Sequence, residues 1–185
     1  MLIKSTSIPG CYEILPNIFK DKRGAFVKTY STDLLELKSL NLNFVEQYYS
    51  VSNQGVLRGM HFQVPPKNHA KLICLISGHL IDAVVDLRIG SPAYGKYQLF
   101  ELKAESGNML YIPSGLAHGF YVLSTNATLL YNATQTYSPS HDYGIHWDSI
   151  GIPWPVKNPI VSERDSGFAP FSNFSSPFKY NGVNK

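Results

Sequence analysis

The stretch Gly55-Val-Leu-Arg-Gly-Met-His61-Phe-Gln63 sets an arginine and a histidine three residues apart, beside two glycines, at the entrance to a β-rich core. Arg58 is a permanent cation able to grip a phosphate with two parallel hydrogen bonds. His61 is a base whose ordinary pKa lies near neutrality. Together they suit proton transfer on a substrate that carries phosphate. The same window also reads as a turn into a strand with an incidental polar pair, so the rest of the chain has to decide.

Working outward, the chain is punctuated into short apolar runs. Tyr12 to Leu15 is a first strand, closed by Pro16. Phe19-Lys-Asp-Lys-Arg-Gly24 is a tight turn with Gly24 supplying positive φ, and Phe26 to Tyr30 resumes an extended segment. One helix follows: Ser31 or Thr32 caps it, Asp33 and Glu36 stand at capping-box spacing, and leucines recur at 34, 35, 37 and 40. Lys71 to Ser77 and Leu80 to Leu87 are apolar runs joined at Ser77-Gly78-His79, a hairpin signal. Tyr97 to Leu102, Met109 to Ile112, Gly119 to Leu123 and Thr128 to Thr134 continue at short spacing, which points to a closed barrel or sandwich rather than βα units. Gly151 to Pro155 and the tail after Phe168 read as irregular wrapping segments. No internal repeat and no second domain is visible, so 1–185 is expected to be a single domain.

Composition narrows the function classes. At 185 residues with 44% hydrophobic residues the chain can bury a sizeable core. A formal charge of +3 fits an acidic ligand such as a sugar nucleotide. It is too small and too dispersed for nucleic acid. Two cysteines make no disulfide framework, and Cys74, within Leu72-Ile-Cys-Leu-Ile76, is expected to be a buried thiol. The absence of an apolar leader or membrane-length run leads us to expect a cytoplasmic protein with no membrane partner.

A second cluster, Gly107-Asn-Met-Leu-Tyr-Ile-Pro113-Ser-Gly115-Leu-Ala-His118-Gly-Phe120, has the Gly, Pro, Gly and His spacing of the second cupin motif. Gly55 to His61 resembles the start of the first. In that order, with strands between, they resemble a cupin-type jelly-roll barrel, all-β with one or two short peripheral helices. Metal-binding cupins carry a second histidine two places after the first and a glutamate beyond; here Gln63, Lys67 and Asn68 stand instead. His61 and His118 alone fall short of the three protein ligands a catalytic metal normally takes, so no metal is expected.

The details resemble one cupin family, the dTDP-4-dehydrorhamnose 3,5-epimerases, which act on nucleotide-linked 4-keto-6-deoxy sugars. The resemblance rests on Phe19-x-Asp21-x-Arg23-Gly24, Val56-Leu-Arg-Gly-Met-His-Phe-Gln63, Ala70-Lys71-Leu72 and Asp86-Leu-Arg-x-Gly-Ser-Pro92. It continues through Ile112-Pro-x-Gly-x-Ala-His-Gly-Phe120, Leu130-Tyr131, Tyr137-x-Pro139, Gly151-Ile-x-Trp-Pro155 and Ser162-Glu-x-Asp165. Each piece is weak; all in order are specific. The resemblance implies a cofactor-free epimerase with His61 as base and Asp165 as its orienting carboxylate. Lys71 would stabilise the enolate and Tyr131 would be the acid on the opposite face. An adjacent cation is expected to lower the pKa of that phenol. Arg58, His118, Phe120 and Tyr137 fall in the implied substrate pocket. Taken singly, His118 reads as a core histidine, Tyr131 as a packed aromatic, Lys71 as an edge charge and Asp165 as part of a surface turn. Only their joint occurrence favours catalysis over a non-catalytic sugar-nucleotide binder.

The family also implies a homodimer whose N-terminal strand is exchanged, bringing Arg23 to the neighbouring site's phosphates. Apolar Phe26 and Val27 near that edge suit such pairing. Two departures from the family pattern fall in the implied recognition region. Lys28 stands where an acidic residue near the base is usual, and Glu46-Gln47-Tyr48 replaces the usual Gln-x-Asn. A lysine can donate to the N3 acceptor of cytosine, whereas thymine offers a proton there. An alternative is therefore a 5-epimerase of a CDP-linked 4-keto-3,6-dideoxyhexose, of the ascarylose type.

Overall fold

The computed structural model describes residues 1–31, 40 and 42–182. The helix expected over 31–40 lies almost wholly outside the described residues. The described chain is nearly all β. Its strands are β1 (Leu2–Ser5), β2 (Tyr12–Leu15), β3 (Ile18–Asp21), β4 (Gly24–Val27), β5 (Glu46–Asn53), β6 (Leu57–Gln63) and β7 (Lys71–Ser77). They continue with β8 (His79–Asp86), β9 (Tyr97–Lys103), β10 (Met109–Ile112), β11 (Leu116–Val122), β12 (Asn126–Ala133) and β13 (Asp142–Gly144). A single turn of α-helix, α1 (Glu163–Ser166), follows.

Two antiparallel sheets make the jelly roll. One is six-stranded in the order β1-β2-β10-β7-β12-β5, and the other five-stranded in the order β13-β6-β11-β8-β9. β3 and β4 pair only with each other; the turn expected over 19–24 is tighter than read, because Phe19–Asp21 belongs to β3 and only Lys22 and Arg23 separate it from β4, which ends at Val27. The expected hairpin at Ser77-Gly78-His79 is corrected: β7 and β8 lie in different sheets, and these residues carry the chain across. Gly78 is needed because its φ is +91° and a Cβ there would sit 2.2 Å from the Asn126 carbonyl oxygen.

Side-chain alternation explains why β7 and β8 read as unbroken apolar runs. Ile73 and Leu75 face the core between the sheets, while Leu72 and Cys74 face a second cluster with Ile14 and Met109. On β8, Leu80 and Val84 point inward; Ala83 and Val85 meet an outer layer containing Ile145, Ile152, Trp154 and Phe178. The irregular C-terminal segment thus wraps the five-stranded sheet as expected. Both cysteines are free and buried. Among the described residues no helix is long and apolar enough to cross a membrane.

Candidate active site

The spacing of Arg58 and His61 makes sense only with a bulge. Residues three apart on a regular strand point to opposite faces. Here His61 pairs with His118 and Arg58 with Phe120, so three steps on β6 oppose two on β11. The extra residue at Gly59–Met60 returns both side chains to the inner face. The bulge also fixes the two glycines. Gly59 has φ +137°, and a Cβ there would lie 2.6 Å from the Gly119 Cα; one on Gly119 would lie 2.5 Å from the Met60 sulfur.

The same inward parity brings Lys71 from β7, Tyr131 from β12, His118 and Phe120 from β11, and Glu46 and Tyr48 from β5 to one cavity of about 380 Å³. His61 and Tyr131 therefore enter from opposite sheets. β5 went unrecognised in the sequence because Glu46-Gln-Tyr-Tyr-Ser50 is polar and aromatic at the edge of its sheet. Tyr137 is exposed at the rim, where its backbone N–H donates to Glu46 Oε2 at 3.1 Å.

Asp165 is 2% exposed, far from the surface turn its neighbours suggest. Ser162 caps α1 by accepting from the Asp165 N–H at 3.1 Å, which turns the carboxylate inward. Its Oδ1 lies 2.8 Å from His61 Nε2, and its Oδ2 accepts the Gly59 N–H at 3.0 Å. Burial alone would raise its pKa, but His61, the Gly59 amide and Arg164 together hold it well below the usual carboxylate range. Burial lowers the pKa of His61 despite the pull of Asp165, so the imidazole is neutral at rest. Arg164, which the sequence analysis did not single out, also lines the cavity and reaches His61, Asp165 and Asp142.

Lys71 is brought down to about 8 by burial, against the opposing charges of Asp142 and Asp82. Tyr131 departs from expectation. Burial pushes its phenol well above the ordinary value, and the charge of Arg58 only partly opposes this. Its hydroxyl lies 3.5 Å from Ser50 Oγ, and its ring stacks on Tyr48 at 4.7 Å and 13°. Burial likewise raises Tyr48, to about 12. Arg58 Nε donates to Ser52 Oγ at 2.9 Å, which aims the guanidinium along the cavity wall.

His118 is buried with its Nε2 2.7 Å from Oδ2 of Asp82, a carboxylate raised in pKa by burial and missed in the sequence. Gln63, standing where a metal-binding cupin has histidine, is engaged elsewhere. Its Nε2 donates to the Lys67 carbonyl at 2.7 Å and its Oε1 accepts the Ser138 N–H at 2.6 Å. Among the described residues no group of three or more His, Cys, Asp or Glu side chains is placed to hold a metal ion. Arg23 and Phe26 are not brought to this cavity. They line a separate depression on the β3–β4 hairpin, with Phe19 and Phe26 64% and 63% exposed. Arg23 is paired there with Asp21 at 2.6 Å. Lys28 is exposed just past β4 and outside the cavity lining.

A jelly roll whose inner face carries a carboxylate–imidazole pair, a buried lysine and a buried phenol is a cupin-type fold with acidic and basic side chains gathered in one cavity. Comparison with known proteins specifies it further: residues 5–173 match the dTDP-4-dehydrorhamnose 3,5-epimerase family, and the chain belongs to that family. The Shigella flexneri dTDP-4-dehydrorhamnose 3,5-epimerase is 39% identical over 168 residues, 89% of this chain and 93% of that protein. The Legionella pneumophila dTDP-6-deoxy-D-glucose-3,5-epimerase, solved in complex with dTDP-4-keto-L-rhamnose, superposes with a TM-score of 0.92. It is 32% identical, covering 98% of this chain and 99% of that one. A 3'-monoepimerase from Streptomyces bikiniensis, solved with dTDP-quinovose, is 29% identical at a TM-score of 0.85, covering 90% and 86%.

Proposed function

We propose that the chain inverts carbon 3 and carbon 5 of a dTDP-linked 4-keto-6-deoxyhexose, an isomerase reaction of deoxysugar biosynthesis. The observation that carries this reading is the entry of the His61–Asp165 pair and Tyr131 into one cavity from opposite sheets, with Lys71 lining the same cavity. Removing a proton next to a ketone needs a neutral base, and His61 is neutral at rest. The ring nitrogen not engaged by Asp165 takes the proton, and Asp165 stabilises the imidazolium that forms. The charge then resides on the ketone oxygen as an enolate, which the ammonium of Lys71 neutralises. Tyr131 returns a proton to carbon from the other face. Its raised pKa keeps the phenol protonated until the enolate forms. Arg58 on the wall suits the diphosphate, Phe120 and Tyr137 the sugar, and His118 the oxygen-rich ring.

The assembly we propose is a homodimer with the β3–β4 hairpin exchanged. That hairpin stands apart from both sheets with Phe19 and Phe26 uncovered, and Arg23 beside them would serve the neighbouring site's phosphates. Two free buried thiols suit a reducing compartment, the cytoplasm. The test is incubation of the purified protein with dTDP- and CDP-linked 4-keto sugars, with product stereochemistry read by NMR. Inversion of both centres of the dTDP sugar is expected. Preferential turnover of the CDP sugar, lost in Lys28→Glu, would instead establish the CDP-linked 5-epimerase. Binding without turnover of either would establish a non-catalytic module.

A further inference from the structure

Two charged groups of opposite sign meet His61 at Nε2. Asp165 Oδ1 lies 2.8 Å away and takes the Nε2–H of the neutral ring, while Arg164 Nη2 lies 2.6 Å from the same nitrogen and sets a positive charge at that edge. Asp165 does not depend on the imidazole for its hydrogen bonds: its Oδ2 takes the Gly59 N–H and its Oδ1 the Arg164 Nε–H at 3.1 Å. Burial disfavours the imidazolium and Asp165 favours it, so a cation at the same edge of the ring acts with burial against a proton taken up too early.

We infer that Arg164 is a positioning residue that offsets Asp165 at the same edge of the ring and, together with burial, holds His61 neutral until substrate arrives; the inference rests on His61 being the base. The guanidinium is held for this task. Its Nη1 donates to Asp142 Oδ2 at 2.7 Å, and its Cζ lies over the Phe168 ring, 5.6 Å from the centroid, a ring that itself meets that of His61 edge-on at 5.8 Å between centroids. A guanidinium keeps its charge at every working pH, unlike the lysine that shares the cavity. The charged and titratable groups around His61 are Asp165 and Arg164 from α1, Lys71 from β7, Asp142 from β13, and His118 with Asp82 behind it across the β6–β11 pairing. Of those acting on it directly, Asp165 favours protonation, while Arg164 and Lys71 oppose it. Of these, Arg164 alone also touches Asp165.

The test is an NMR titration of His61 in whole protein carrying isotope-labelled histidine, the signal assigned by its absence in His61→Asn. In Arg164→Gln the His61 midpoint is expected to move to higher pH, and in Arg164→Lys to stay near wild type. In Arg164→Gln, kcat at pH 6 should fall about tenfold and recover as pH rises, with KM changed by no more than about twofold. An unmoved His61 midpoint overturns the inference, as does a rate loss equal at all pH values or one confined to KM, which would make Arg164 a substrate grip. Should Arg164→Gln fail to fold, Arg164→Met, which keeps the packing on Phe168, is held to the same titration. Failure of the base assignment shows separately, as proton exchange that persists in His61→Asn whatever the titration shows.

Discussion

Two carboxylate–histidine pairs stand side by side in this protein and are built for different ends. His61 and His118 are cross-strand partners on β6 and β11, and each has a carboxylate within 2.8 Å of its Nε2. The side chain of His61 is 23% exposed, whereas those of His118 and Asp82 are 5% and 0% exposed. Asp165 has further donors from a backbone amide and from Arg164. Asp82 has none among the described residues for its Oδ1, which is buried without a hydrogen-bond partner. A carboxylate satisfied without its histidine tolerates a change of proton on that histidine. One that depends wholly on its histidine does not. The first pair is arranged to cycle and the second to stay fixed.

The contrast can be broken most sharply at the two histidines. His61→Asn should reduce turnover at least ~100-fold, the scale of lost general acid–base catalysis, while leaving the melting temperature nearly unchanged. His118→Asn should act mainly on stability, because it leaves Asp82 buried and unpaired, a cost of about 3 kcal/mol seen as a lower urea midpoint. That cost should grow with pH. Burial raises the pKa of Asp82, so at low pH the carboxyl is neutral and tolerates the loss of its partner.

A third group sharpens the same division. Lys71 is lowered from its ordinary 10.5 to about 8 by burial, so between those values the unfolded chain holds a proton that the folded one has released. Stability from this group is therefore complete above 10.5 and is lost as pH falls through 8. Lys71→Met should make the protein about 2 kcal/mol more stable at pH 7 while abolishing most activity, and the gain should vanish toward pH 10.5 in urea titrations. The smallest effect is expected at Tyr48. Removing its ring in Tyr48→Ala should cost ~1 kcal/mol of stability from the lost stack on Tyr131, with a modest fall in turnover as the acid loosens.

What could be read from the sequence follows from these physical differences. β7, β8 and β10 were legible because both of their faces are covered and their side chains are apolar throughout. β5 was not: an edge strand needs no apolar face outward, and its inner face is given to the site. The Ser77-Gly78-His79 turn misled because a glycine between strands looks the same whether they pair or part. Arg58 and His61 were recognised by residue type, yet their convergence depends on a bulge whose presence is fixed by the contact of Gly59 with Gly119, some sixty residues on. Asp165 and Tyr131 were reached through family resemblance. Locally their surroundings read as a turn and a packed strand. Asp82 and Arg164 left no signal, since one sits within an apolar run and the other among surface-type residues.

The central claim is that His61 moves the substrate's α protons while Asp165 holds it ready. It is tested most directly by incubating the dTDP-linked 4-keto-6-deoxy sugar with enzyme in deuterated water and following the carbon-bound protons by NMR. The account expects wild type to place deuterium at carbons 3 and 5 and His61→Asn to place almost none over the same period. Exchange at the wild-type rate in His61→Asn would contradict it.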